Sequence, residues 1–282
     1  MSEFNRYFDS INAKAVKNYL IAFAGRNIYS IIKKISNIEE SFLMVDNGAF
    51  SVWKSGKKEI NIKSYIDECK KIKDGFNFKC LGFIALDKIP GSYGKKPSKS
   101  ECELAVKYTK ENYIYMRKEL IDNVYPVFHQ HDDFSYLDFY LDNTDFICIS
   151  PANDVTNKGR EIWLDKVFEK IDVKNSKVKT HGLAVTGKYL CEKYPFYSVD
   201  SISWSAPVVY GRVNVWKNFK IETLTKENCF ESIMNAYYLN GIMKSSSRED
   251  CRVSMDKSLD TFLELENYIT KLWEEKGIIW NE

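Results

Sequence analysis

No stretch of the 282-residue chain approaches the roughly 18–20 uninterrupted apolar residues that a bilayer-spanning helix requires. The opening segment MSEFNRYFDSINAK also lacks the apolar core of a secretion signal, so a soluble protein of the cytoplasm is expected. Its seven cysteines (Cys69, Cys80, Cys102, Cys148, Cys191, Cys229 and Cys251) stand singly, without a Cys-x-x-Cys pair. That spacing fits a reducing compartment better than a disulfide framework and argues against a multi-cysteine zinc site. Charge of one sign is missing too: 41 Lys+Arg against 39 Asp+Glu leave a net +2, so total charge does not mark the chain as a nucleic-acid binder. No glycine-rich dinucleotide fingerprint follows the first apolar run. Histidine is scarce, and two of the three histidines, His129 and His131, sit together after the apolar run Val124–Phe128.

What is present is a regular alternation. Short apolar runs recur at Tyr19–Gly25, Phe42–Asp46, Cys80–Asp87, Val124–His129, Phe146–Ser150, Lys179–Val185 and Phe196–Asp200, each apolar along its length as a strand covered on both faces would be. Helical periodicity lies between them at Ile28–Ile35, Asn61–Asp74, Ser98–Leu120, Phe134–Asp142 and Glu161–Ile171. With a further strand in Val208–Trp216 the count approaches eight, which predicts an α/β fold of the TIM-like (β/α)8 barrel type, an open doubly wound sheet being the second choice. Beyond Lys220 the pattern is helical only, at Lys226–Met243 and Ser258–Gly277, with Lys244–Arg252 as a polar linker. The expected organisation is a catalytic barrel over residues 1–220 and extra C-terminal helices over 221–282 that pack on it or close it, as one domain.

Barrel chemistry gathers at the C-terminal ends of the strands. The polar residues that end the runs are Asp46, Asp87, His129, Gln130, Ser150, Asn153, His181, Gly182 and Asp200. An aspartate there is also a common helix cap or turn former. For His129 and His131 a hydrogen-bonded or surface role is the commoner case, and no third ligand at a zinc-like spacing accompanies them. Gln130 offers both a donor and an acceptor, which suits the edge of a heterocyclic base. Gly48 and Gly182 are turn glycines or points where backbone closely approaches a flat ligand. Two basic clusters, Lys54–Lys58 and Tyr93–Ser100, occupy turn-rich segments, where solvated loops are the usual explanation.

Taken in order, VDNGAFSVW, FIALDKIPG, VFHQ, HGLAVTG and VDSISW resemble the tRNA-guanine transglycosylase superfamily, and within it the phage and bacterial 7-deazaguanine DNA transglycosylases. The resemblance runs from about Tyr19 to Arg212 and leaves the C-terminal helices uncovered. It implies that guanine in DNA is replaced by a 7-deazaguanine base, without a cofactor. Asp200 would be the nucleophile that holds the sugar covalently, a role carboxylates also play in retaining glycosidases. Asp46 would be the acid or base for the exchanging bases. Asp87, Gln130 and His129, with the backbone at Gly182 and Leu183, would bind the base, and Phe50 or Tyr93 would stack on it. Lys54, Lys57, Lys58, Lys95, Lys96 and Arg212 would hold phosphates. The tRNA enzymes of the superfamily carry a zinc near the C-terminus, whereas this chain has only Cys229 and Cys251 there and no histidine after His181, so no metal is expected. DNA and a 7-deazaguanine base are the expected partners, with a second copy or an accessory protein as further ones, no membrane, and host cytoplasm as the location if a phage encodes the chain. The alternatives are a tRNA transglycosylase without the zinc module, a metal-independent barrel glycoside hydrolase, and a non-enzymatic nucleic-acid-binding barrel.

Overall fold

A computed structural model describes residues 16–23, 28–57, 59–152, 155–205, 210, 212–225 and 247–280. The chain divides into two compact units, one of residues 17–183 and 196–199, the other of residues 1–16, 184–195 and 200–282.

In the first unit the apolar runs become short strands: β1 (Asn18–Ala22), β2 (Phe42–Asp46), β3 (Cys80–Ile84), β4 (Val124–Tyr125), β5 (Val127–His129), β6 (Phe146–Ser150), β7 (Lys179–Gly182) and β8 (Ser198–Val199). They form two four-stranded sheets, β1-β2-β3-β4 and β5-β6-β7-β8, with every neighbouring pair parallel. The sequence predicts a single strand over Val124–His129; Pro126 divides it. Proline has no N–H to donate to a ladder, although its carbonyl still accepts from the Cys148 N–H at 2.9 Å. One apolar cluster takes side chains from β1 to β6 and from the residues next to β7 and β8: Leu20, Met44, Ile84, Tyr125, Val127, Phe146, Cys148, Leu183 and Tyr197. Within it the rings of Tyr125 and Phe146 stack at 4.1 Å. Gly82 in β3 leaves them room, since a Cβ there would lie 2.1 Å from Tyr125 Cε2.

The connecting helices begin where a polar side chain caps them. Asn61 accepts from the Ser64 N–H ahead of α3 (Ile62–Gly75), which follows α1 (Ile28–Ser36) and α2 (Ala49–Ser55). The buried residues of α3, Tyr65, Ile66, Cys69 and Ile72, recur at helical spacing and give it one apolar face. Ser98 and Glu101 form a reciprocal capping box at the head of α4 (Lys99–Leu120). Asp133 caps α5 (Phe134–Asn143), and Thr156 caps α6 (Asn157–Asn175), which begins four residues before the expected start. Helix α2 is absent from the sequence reading. It is bounded by Gly48 (φ 79°) and Gly56 (φ 63°), both left-handed, so two glycines that read as loop are the ends of a short helix.

The second unit holds α7 (Lys188–Lys193), the strands β9 (Val213–Lys217) and β10 (Lys220–Leu224), and α8 (Ser247–Glu275). The expected barrel strand over Val208–Trp216 is corrected here: β9 pairs antiparallel with β10 as a hairpin. Its two turn residues, Asn218 (φ 51°) and Phe219 (φ 59°), both have positive φ, as in a type I′ turn whose twist suits a hairpin. The expected linker Lys244–Arg252 is helical from Ser247 onward; it contains no glycine or proline to stop a helix. The helix expected over Lys226–Met243 lies outside the described residues. Asn214 of β9 is the polar centre of this unit. Its N–H donates to Ser258 Oγ at 3.0 Å, its carbonyl accepts from Thr261 Oγ1 at 3.0 Å, and its Nδ2 donates to the Ser203 carbonyl at 3.0 Å.

Candidate active site

Because the strands of the first unit are parallel, their C-terminal ends lie at one edge of each sheet. Asp46, His129, Ser150 and Gly182 are the last residues of β2, β5, β6 and β7, and Asp87 follows β3 by three residues. Two features hold the loops that carry the aspartates. The buried Asn47, next to Asp46, donates from Nδ2 to the Ala85 carbonyl at 2.8 Å and accepts at Oδ1 from the Ala49 N–H at 2.7 Å. The fully buried Tyr65 hydroxyl donates to the carbonyls of Val45 and Ile84, at 3.2 and 3.0 Å. Burial pushes this phenol well above its ordinary pKa and keeps it a neutral donor.

Asp87 is pinned from both sides in chain. Asn112 Nδ2 donates to the Leu86 carbonyl and the Lys88 N–H donates to Thr109 Oγ1, each at 2.9 Å. A non-repetitive segment with its neighbouring backbone groups tied to α4 presents its carboxylate in a fixed place. Asn47 was not singled out in the sequence, where DNG reads only as a turn. Asn47→Ala leaves the buried Ala85 carbonyl and the half-buried Ala49 N–H without these partners and should cost about 1–3 kcal/mol of unfolding free energy; a midpoint in urea equal to that of the parent protein would contradict this role.

His129 stands between two carboxylates. Its Nε2 is 2.8 Å from Asp87 Oδ2 and its Nδ1 3.5 Å from Asp132 Oδ2, while its backbone N–H donates to the same Asp132 oxygen at 2.9 Å. Burial by itself pulls the imidazole down, but the hydrogen bonds to Asp132 and Asp87 outweigh it and raise the pKa from 6.5 to about 10. At neutral pH the ring is held as an imidazolium between the two carboxylates. Asp132 was not a sequence candidate; its place three residues after His129 in HQHD is the only signal.

Gln130 points its amide at the loop after β6. Its Oε1 accepts from the Ala152 N–H at 3.0 Å and its Nε2 donates to the Gly159 carbonyl at 3.2 Å, so this amide shapes the loop before it reaches any ligand. The Leu183 N–H is bonded to the Ile149 carbonyl at 2.9 Å, which removes that donor and leaves the carbonyl of this residue as its group for a ligand. His181 is buried and bonded through Nδ1 to Ser198 Oγ at 2.8 Å. His131 is exposed, and Asn153 and Lys58 lie outside the described residues.

The two lysine-bearing loops, far apart in sequence, meet. Trp53 Nε1 donates to the Gly91 carbonyl at 2.9 Å, the Trp53 and Tyr93 rings meet edge to face at 5.3 Å, and Phe50 packs beside Trp53 at 5.9 Å. Lys54 Nζ lies 5.6 Å from the centre of the Tyr93 ring. Phe50 and Tyr93 remain 46% and 55% exposed, which leaves ring faces to a ligand, and Lys54, Lys57, Lys95 and Lys96 in the same two stretches of chain are exposed. Phe50 follows Asp46 by four residues and Tyr93 follows Asp87 by six, so this patch grows from the loops that leave the same strand ends.

In the second unit Asp200, the residue after β8, accepts at Oδ1 from the Ala184 N–H at 2.9 Å. Ala184 has φ 55°, a left-handed backbone that aims this N–H at the carboxylate. The hydroxyls of Ser201 and Ser203 are 2.6 Å apart in the following turn. Arg212, also in this unit, is exposed just before β9.

Among the described residues no group of three or more His, Cys, Asp or Glu side chains could hold a metal ion, and no helix is long and apolar enough to cross a membrane. No protein-family model and no curated protein matches the chain.

Proposed function

We propose that the chain is a guanine transglycosylase that replaces guanine in DNA with a 7-deazaguanine base, on a TIM-like barrel with extra C-terminal helices. The observation that carries this reading is the exposed aromatic and lysine patch, assembled from helix α2 and the loop around Gly91–Tyr93, which follow Asp46 and Asp87 in the chain. Stacking faces flanked by cations suit a polymer of bases and phosphates. Sequential parallel strands that all contribute to one interior cluster support the barrel, although with β9 in a hairpin the described residues supply seven barrel positions, β4 and β5 counted as one.

In this mechanism an Asp200 oxygen attacks the anomeric carbon of the sugar, and the bond to guanine N9 breaks as Asp46 supplies a proton to the departing base. The incoming 7-deazaguanine then attacks the same carbon through N9, gives its proton to Asp46 and releases Asp200. Asp87 accepts from the N–H edge of either base, with backbone at Gly182 and Leu183 and the second amide hydrogen of Gln130 beside it. A target base inside a duplex must leave the stack to be reached.

The test is an exchange assay with guanine-containing DNA and tRNA in separate tubes, a 7-deazaguanine base, and mass analysis of the digested nucleosides. A modified deoxynucleoside is expected. Product only in tRNA would assign the chain to RNA, and none in either tube would favour the glycoside hydrolase or the binding protein. For the patch, substituting Lys54, Lys95 and Lys96 together with alanine should weaken DNA binding and reduce the slope of log affinity against log salt by about 2–3. An unchanged slope in an anisotropy titration would show that these loops do not meet phosphates.

A further inference from the structure

We infer that His129 is not a substrate ligand but a positioning residue, an imidazolium held between Asp132 and Asp87 that fixes the Asp87 carboxylate for its N–H-bearing ligand. The inference rests on the proposed base exchange for the identity of that ligand, but the clamp itself is a matter of geometry.

Four contacts define it. Asp87 Oδ2 meets Nε2 at 2.8 Å, which leaves Oδ1 for a ligand. Asp132 Oδ2 is 3.5 Å from Nδ1 and accepts the His129 backbone N–H at 2.9 Å, while the Asp132 N–H donates to the His129 carbonyl at 3.0 Å. Ring and backbone of His129 are thus oriented by the same carboxylate. The three side chains are only 10–20% exposed, so their charges act through little water.

With both ring nitrogens on carboxylates, the imidazole cannot rotate toward a substrate without giving up a charged hydrogen bond. Its positive charge offsets part of the repulsion between Asp87 and Asp132, which otherwise face each other across a buried space. Asp87 is consequently a fixed acceptor, matched to a ligand edge that presents N–H groups.

Two phenols lie against this triad among the described residues. Tyr140 of α5 lies close to Asp132 and Asp87, and Tyr65 of α3 lies close to Asp46 and Asp87. Burial pushes both phenols above the ordinary tyrosine range, so they stay neutral and do not compete for the role of His129. Because the His129 pKa in the folded protein is raised above the ordinary 6.5, the clamp's contribution is complete below about pH 6.5 and is lost as pH rises through about 10.

The experiment is a titration of the histidine ring nitrogens by NMR in the full chain, with His131 and His181 as internal references and His129→Gln to assign the signal. His129 should remain protonated until about pH 10, and Asp132→Asn should lower its midpoint by a unit or more. A midpoint near that of a free histidine, or one indifferent to Asp132→Asn, overturns the clamp whether or not the protein exchanges bases. In the exchange assay His129→Gln should lower kcat/KM by about ten- to a hundredfold, chiefly through KM for the incoming base. The alkaline limb of the Asp132→Asn profile should move down in pH together with the NMR midpoint. A limb that stays in place while the midpoint moves overturns the positioning role. A wild-type protein that shows the raised midpoint but no exchange rejects the functional reading and leaves the clamp standing.

Discussion

Replacing Asp200 with alanine should leave a folded protein that still binds DNA but turns over at least about 10³-fold more slowly, the scale on which removing a covalent nucleophile acts. The carboxylate is the one protein group in the proposed mechanism that makes a bond to carbon, and the nearby Ser201 and Ser203 offer only neutral hydroxyls. Asp200→Asn is the sharper variant, because the amide can still accept from the Ala184 N–H at its oxygen and so preserves the local loop while lacking a competent nucleophile. Two measurements check this. Nucleoside mass analysis reads turnover, and a denaturing gel reads the covalent protein–DNA species, which the parent protein should form and both variants should not. Turnover within tenfold of the parent would sink the mechanism and return Asp200 to the role of a loop-forming acceptor.

A loss of stability is expected at Gly82, a residue the proposed mechanism does not use. A Cβ at this position would lie 2.1, 2.7 and 2.8 Å from three atoms of the Tyr125 ring. Tyr125 cannot swing away cheaply, being buried and stacked on Phe146 at 4.1 Å. Overpacking of this kind costs about 1–3 kcal/mol for one methyl, so Gly82→Ala should lower the unfolding free energy by about that amount and Gly82→Val by more. The cause is the ring and not the backbone, hence Tyr125→Leu introduced together with Gly82→Ala should cost less than the sum of the two single changes. Denaturant unfolding of the four proteins closes the cycle, and simple additivity would show that the methyl is accommodated elsewhere.

Strands and helices were legible wherever the local signal agreed with the packing. Phe42–Asp46 and Phe146–Ser150 appear with the expected bounds because each is an apolar run ended by a polar residue. Helix α4 starts at its capping box, a signal confined to four residues. Legibility failed where a short signal had more than one meaning. Gly48 and Gly56 read as loop and are helix ends. Asn218–Phe219 lacks the glycine that usually marks a type I′ turn, so the run before it passed for a barrel strand.

The sequence by itself determined which residues end the strands of the first unit, since alternation of apolar runs and helical periods is a local property and parallel order then sets their C-terminal ends at one edge. Only the tertiary structure decided what those residues do to one another. That Asp87 meets His129 across 42 residues, that Asn47 bridges to Ala85 across 38, and that Trp53 reaches Gly91 to bring two lysine loops onto one aromatic patch are contacts between distant parts of the chain. Such contacts have no periodicity to announce them, because they depend on where whole elements pack. For the same reason Gln130, which looked free to read a ligand, turned out to hold the loop at Ala152 and Gly159.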